Sequence, residues 1–191
     1  MSKTHDELVD IAGRWLARNP SFKSRGKEHH HESWPDHRGE CVFVLTEAGC
    51  WMSAEIPDAI GWWGGWTFLI ECKVTRSDFK ADAKKDFRVR PEWGAGDFRY
   101  YMTTGPDIIS EDDLPDGWGL LHLTERGRVM VKRHAERQEQ KSLHTENHLV
   151  IAAMRRVIFS PEIRGLHINL SVQGRDRVKT SMIVTQEPID E

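Results

Sequence analysis

The chain has 191 residues, 38% of them apolar before glycine is counted, enough for one compact core and too many for a disordered chain. A formal net charge of -3 excludes a protein that holds nucleic acid by bulk electrostatics, so any such binding rests on local patches. No run approaches the roughly 18 apolar residues of a membrane span, and the opening MSKTHDELVD lacks the apolar stretch of a signal peptide, so a cytoplasmic protein with no membrane partner is expected.

Residues 4–18, THDELVDIAGRWLAR, place Leu8, Ile11, Ala12, Trp15 and Leu16 at helical spacing, and Thr4 with Glu7 makes a capping box. A helix is expected there. The following NPSFKSRGKEHHHESWPDHR is polar, aperiodic and holds two prolines, which predicts a loop insertion over 20–40. CVFVLTE, WMSAEIPDAIGW and WTFLIECKV are short apolar runs that read as three successive strands. Gly64-Gly65 marks a tight connection, so the second and third strands should be antiparallel neighbours.

The segment RSDFKADAKKDFR, 76–88, repeats Phe79, Ala83 and Phe87, the stripe of a helix laid on a sheet. DFRYYMTT, WGLLHLTE and RVMVKRH are further strands, and TENHLVIAAMRRVI is a second strong helix. HINLSVQ and RVKTSMIV should form a terminal hairpin around Gly174-Arg175-Asp176. The fold class is therefore α/β, with residues 1–140 as the core and 141–191 as a helix and hairpin extension of the same domain.

Pro57-Asp58 and Glu71-Cys72-Lys73 make the pattern PD-x12-E-x-K. The string alone is weak, because the chain holds four Pro-Asp pairs and three further acidic-x-Lys triplets. Only Glu71-x-Lys73 closes an apolar run, and only Asp58 lies on the strand before it. Alternation sends Glu71 and Lys73 to one face and Cys72 to the other, and an antiparallel partner can bring Asp58 beside Glu71. Adjacent carboxylates repel unless a cation lies between them, and hard oxygen ligands favour Mg²⁺ or Mn²⁺. Such an ion activates a bound water against a phosphodiester, with Lys73 orienting the water or stabilising the charge that develops on phosphorus oxygens.

At these residues the chain resembles the PD-(D/E)XK nuclease superfamily. EIPDAIGW, FLIECKVTRSDFKADAKKDFR, FRYYMTT and LPDGWGLLHL are similar to its MmcB-like DNA-repair branch and to related bacterial and phage proteins, over about residues 41–133. The resemblance implies a restriction-endonuclease-like core, a mixed central sheet flanked by helices, with Asp58, Glu71 and Lys73 catalytic. It implies a metal held by Asp58, Glu71 and the Cys72 backbone carbonyl, with a further carboxylate from Glu7, Glu47 or Glu55. Glu7 also has a capping job, and Glu55, three residues from Asp58, would face the other side of an unbroken strand as a surface or supporting carboxylate.

Arg76, Lys80, Lys84 and Arg88 fall at four-residue spacing beside this site, a basic stripe suited to phosphate contact. Asp78, Asp82 and Asp86 run alongside it, as on a solvated helix face. His29, His30 and His31 with His37 and Cys41 are potential zinc ligands, but the segment lacks fixed ligand spacing. Cys41, Cys50 and Cys72 are odd in number with no CxxC, so reduced thiols are expected. Trp62, Trp63 and Trp66 suit packing more than base stacking.

The expected function is a Mg²⁺-dependent deoxyribonuclease of repair, recombination or phage biology, with DNA as partner and a homodimer as one way to cut both strands. The alternatives are a nuclease-fold protein that binds nucleic acid or a protein partner without cutting, and a zinc-stabilised module built on the histidine loop.

Overall fold

The computed structural model describes residues 4–18, 41–47, 53, 55–159, 166–171 and 179–181. Thr4 opens the first helix, α1 (His5–Ala17), and the capping box is formed: the Thr4 hydroxyl accepts the Glu7 N–H at 3.3 Å, while the Glu7 carboxylate accepts the Thr4 N–H at 2.9 Å. Two of the helix's orphan donors are thereby satisfied. Leu8, Ala12 and Leu16 are buried as the spacing predicts; Val9 and Gly13 are buried with them, and Ile11 and Trp15 lie at the margin of that face.

Strands β1 (Phe43–Thr46), β2 (Ala59–Trp63) and β3 (Trp66–Lys73) form an antiparallel meander. Gly64 and Gly65 join β2 to β3 with φ of 54° and 90°, the paired left-handed turn that matches strand twist and that glycine adopts without strain. On its other side β3 pairs in parallel with β4 (Phe98–Thr103), which pairs in parallel with β5 (Gly119–Leu123); β6 (Val129–Arg133) returns antiparallel to β5.

Two short helices, α2 (Arg76–Asp82) and α3 (Asp86–Val89), link β3 to β4, and a long one, α4 (Leu143–Phe159), follows β6. Strands β7 (Leu166–Ser171) and β8 (Lys179–Ser181) then extend the sheet beyond β1, giving the order β6-β5-β4-β3-β2-β1-β7-β8. The molecule is thus α/β, a mixed sheet flanked by helices, and β7 and β8 are the antiparallel pair expected near the C-terminus. The turn expected at 174–176 and the loop insertion over 20–40 lie outside the described residues.

Helices cover both faces of the sheet. On one, α1 sets Leu8, Ala12 and Leu16 against Phe68, Ile70 and Cys72 of β3 and Tyr100 of β4. On the other, Phe79 of α2 and Leu149 and Ala153 of α4 join a core with Leu69, Tyr101 and Leu120. Each fully buried Leu or Phe contributes about 1.5–3 kcal/mol, and this offsets the cost of the charges that close β3. Trp62 packs on Phe43 at 5.1 Å and Trp66 meets Phe98 edge-on at 6.0 Å, so both serve packing.

The single helix expected over 76–88 is a correction. The chain breaks after Asp82; Ala83 is exposed, while Asp82 is buried beside Phe79. Among the described residues no helix is long and apolar enough to cross a membrane.

Candidate active site

Strand β3 carries its chemistry at its carboxyl end. Its alternation sends Phe68, Ile70 and Cys72 to the α1 face and Leu69, Glu71 and Lys73 to the face covered by α2 and α4. The pairing of Ala59 with Ile70 leaves Asp58, one residue before β2, at the level of Glu71. Asp58 then continues the ladder with its side chain: Oδ2 accepts the Cys72 N–H at 2.7 Å. The N–H and carbonyl of one strand residue leave on the same edge, so the Cys72 carbonyl faces the side on which Asp58 stands.

The three residues singled out in the sequence come together. Lys73 Nζ donates to Glu71 Oε2 at 3.0 Å and lies 4.0 Å from Asp58 Oδ2. Glu71 and Lys73 are buried, while Asp58 keeps 17% of its side chain exposed, which leaves the cluster one open side. Burial, with Asp58 adding to it, pushes the Glu71 carboxyl up to about 7 against the pull of Arg88 and Lys73. Burial opposes the charge on Lys73, but Glu71, Asp82 and Asp58 outweigh it and hold the ammonium protonated.

Sequence reasoning missed two members. Asp82, the last residue of α2, is fully buried; its Oδ2 accepts the Tyr101 hydroxyl at 2.7 Å and Arg88 Nε at 2.8 Å, and its Oδ1 lies 2.7 Å from Lys85 Nζ and 3.4 Å from Lys73 Nζ. The sequence pattern sets it with Asp78 and Asp86 on a solvated face, yet it lies three residues after Phe79, on the face that α2 buries. The second is His5, the first residue of α1, whose Nε2 is 3.4 Å from Asp58 Oδ2. Nothing in its spacing marked it; only the docking of α1 across β1 and β2 brings it there.

Arg88 is a correction to the basic stripe. Its side chain is 4% exposed and points inward, pairing with the Glu55 carboxylate, with Glu71 Oε1 at 3.1 Å and with Asp82. Arg76 is engaged as well: it pairs with Asp113 and donates to the Ile108 carbonyl at 3.0 Å. Lys80 and Lys84 are the members of the stripe left on the surface. The stripe fails because the helix ends at Asp82, so four-residue spacing no longer keeps residues 84 and 88 on the line of 76 and 80.

The supporting carboxylates sort by where the chain turns. Glu7 is exposed and directs its carboxylate to the Thr4 N–H. Glu55 is fully buried, so of the surface and supporting positions expected for it only the second fits: no strand runs through it, and it accepts the Ala95 N–H at 2.6 Å as well as Arg88. Glu47 is exposed; its N–H donates to the Asp58 carbonyl at 3.0 Å, and its carboxylate falls within 4.8 Å of ligand atoms on His5 and Asp6. Cys41 and Cys72 are free, buried thiols, while His29, His30, His31 and His37 lie outside the described residues.

Four carboxylates, Glu55, Asp58, Glu71 and Asp82, thus converge on two buried cations, Lys73 and Arg88, with the half-exposed Lys85 reaching in. Glu71 Oε1 is buried and accepts no hydrogen bond of good geometry, although Arg88 is close. An acidic cluster with an orphaned carboxylate oxygen and an adjacent backbone carbonyl is a donor set that suits a hard divalent ion.

Neither a family model nor a curated protein matches the chain. Among solved structures the chain is similar to a protein of unknown function from Silicibacter pomeroyi, at 25% identity and a TM-score of 0.43, over 65% of this chain and 84% of that one. A likeness of that size does not bear on function.

Proposed function

We propose that the chain is a Mg²⁺- or Mn²⁺-dependent nuclease of the restriction-endonuclease-like type that hydrolyses phosphodiester bonds of DNA. The observation that carries this reading is the convergence of Asp58, Glu71 and Lys73 at the end of β3, with Lys73 Nζ 3.0 Å from Glu71 and 4.0 Å from Asp58. Asp58, Glu71 and the Cys72 carbonyl are the residues that would hold the ion. When bound, the ion supplies Lewis-acid activation of water and neutralises a phosphate oxygen. In the metal-free protein the surrounding carboxylates hold Lys73 protonated, a charge suited to orienting the water or stabilising negative charge that develops on phosphorus oxygens. DNA reaches the cluster from its exposed Asp58 side.

One observation favours a second reading, a nuclease-fold protein that binds without cutting. Arg88 already places an internal cation against Glu71, and Lys73 is ion-paired on three sides. Calorimetry and cleavage assays decide between the two. In the first reading Mn²⁺ binds and is lost in Asp58→Ala. Lys73→Ala keeps metal and DNA binding but cuts on the order of a hundredfold slower, the usual cost of one preorganised charge. A wild-type protein that binds DNA, takes up no Mn²⁺ and cuts neither linear nor branched substrates supports the second.

A further inference from the structure

We infer that Asp82 is a positioning residue for the proposed hydrolysis, holding Lys73 at the reacting centre once the ion has engaged Glu71 and Asp58. The inference rests on the nuclease reading. Lys73 Nζ lies among three carboxylates, Glu71 at 3.0 Å, Asp82 at 3.4 Å and Asp58 at 4.0 Å. Two of those are the residues that would bind the ion. With a divalent cation held there, Glu71 and Asp58 would attract Lys73 less, and its ammonium would be repelled by the added positive charge. A flexible four-carbon side chain with no other anchor would then swing toward solvent, because an ammonium gains more from hydration than from a neutralised carboxylate.

Asp82 is the remaining anchor, and it is built as one. Its side chain is fully buried, so water does not compete for it. Tyr101 from β4 and Arg88 from the α3 turn fix Oδ2 at 2.7 and 2.8 Å, which leaves Oδ1 turned to Lys73 and Lys85. Arg88 is in turn held by Glu55 and lies 4.7 Å over the Trp118 ring. Thr75 explains how the chain returns: it caps α2 two residues beyond Lys73, its hydroxyl accepting the Asp78 N–H at 3.1 Å, and the helix then runs back over the sheet to Asp82. The role assigned to Asp82 is exercised through Lys73, 3.4 Å away.

The test uses the full chain with Mn²⁺ and a DNA substrate cut by the wild type. Asp82→Asn keeps the shape of the side chain, removes its charge and turns one acceptor oxygen into a donor. The expected result is Mn²⁺ affinity and KM within about threefold of wild type and kcat lowered at least tenfold, with Asp82→Glu recovering part of it. If Asp82→Asn does not fold, Tyr101→Phe removes one of the two hydrogen bonds that fix Oδ2 without altering charge and should lower kcat by a smaller factor at unchanged KM. A second readout needs no cleavage. In Mg²⁺-saturated protein the Lys73 side-chain ammonium should give a protected nitrogen-15 signal in the wild type that is lost in Asp82→Asn. Wild-type kcat in the folded variants, or a Lys73 signal unchanged by Asp82→Asn, overturns the inference while leaving the nuclease reading intact. A wild type that neither binds Mn²⁺ nor cuts overturns both.

Discussion

Arg88 and Arg76 begin and end the same predicted stripe, yet the molecule uses them in unlike ways. Arg88 is buried between Glu55, Glu71 and Asp82 and lies 4.7 Å over the rings of both Phe87 and Trp118. Its burial would lower the charge on the guanidinium, but the surrounding carboxylates more than reverse that. Removing it strands Glu55, which is fully buried and makes its ion pair with Arg88 alone among the described residues. Arg88→Ala is therefore expected to cost about 3–5 kcal/mol, the usual penalty for breaking a buried pair from one side. Arg76→Ala breaks a pair with Asp113 whose arginine side chain is 41% exposed, and should cost far less than Arg88→Ala. Urea denaturation of the two variants checks this, and similar losses would mean that Arg88 is not the buried hub described above.

At the scale of elements, the break between α2 and α3 decides what the basic residues do. The turn at Ala83–Lys85 lets Arg88 enter the cluster and leaves Lys80 and Lys84 exposed. Of the four basic residues for which the sequence suggests phosphate contact, those two stand on the surface, where the proposed nuclease could use them. Each phosphate neutralised by a lysine steepens the salt dependence of duplex binding by about 0.9 in log-log slope. The double substitution of Lys80 and Lys84 by Ala should weaken DNA binding and flatten that slope by nearly two units, measured by fluorescence anisotropy across a salt series. An unchanged slope would place the DNA on another face, with Lys80 and Lys84 merely solvated.

At the scale of the whole molecule, the charge cluster sets how the metal-free protein answers acid. Burial raises the Asp82 carboxyl, but Arg88 and Lys73 outweigh it and hold it well below the ordinary value of 3.8. A carboxyl held low stabilises the fold above its unfolded pKa and loses that contribution as pH falls below it. Burial depresses His122 and His134 from 6.5, so their contribution is likewise lost as pH falls below that value. Glu71 works the other way, since a carboxyl raised from 4.5 to about 7 favours the fold as pH drops between those values. The opposing terms should leave the urea midpoint nearly level from about pH 7 to 5, with a steep fall below about pH 4. In Asp82→Asn the fall below pH 4 should be shallower, and an equally steep one would show that other carboxyls govern acid unfolding.

Most elements, and the residues that close β3, were legible in the sequence alone; the break between α2 and α3 was not. Periodicity placed α1 and its cap, the Gly64-Gly65 pair joined β2 to β3, and the apolar run from Trp66 to Ile70 marked a strand buried on both faces. These are local properties, expressed in dihedral preference and the spacing of apolar side chains, and a single chain shows them. Asp58, Glu71 and Lys73 were legible for the same reason: two antiparallel strands joined by a two-residue turn have a register that the turn itself sets. Only the tertiary structure decided the partners of that trio. Asp82 and Arg88 turn inward because the helix after β3 breaks where a buried lysine and glutamate need counter-charges, and that need exists only once β3, β4 and α2 are packed together. Glu55 becomes its buried support because the chain before β2 is not strand, and His5 reaches Asp58 because α1 docks across the sheet. The cost of leaving a buried charge unpaired outweighs the preference of a charged side chain for water, and it applies only after packing has removed the water.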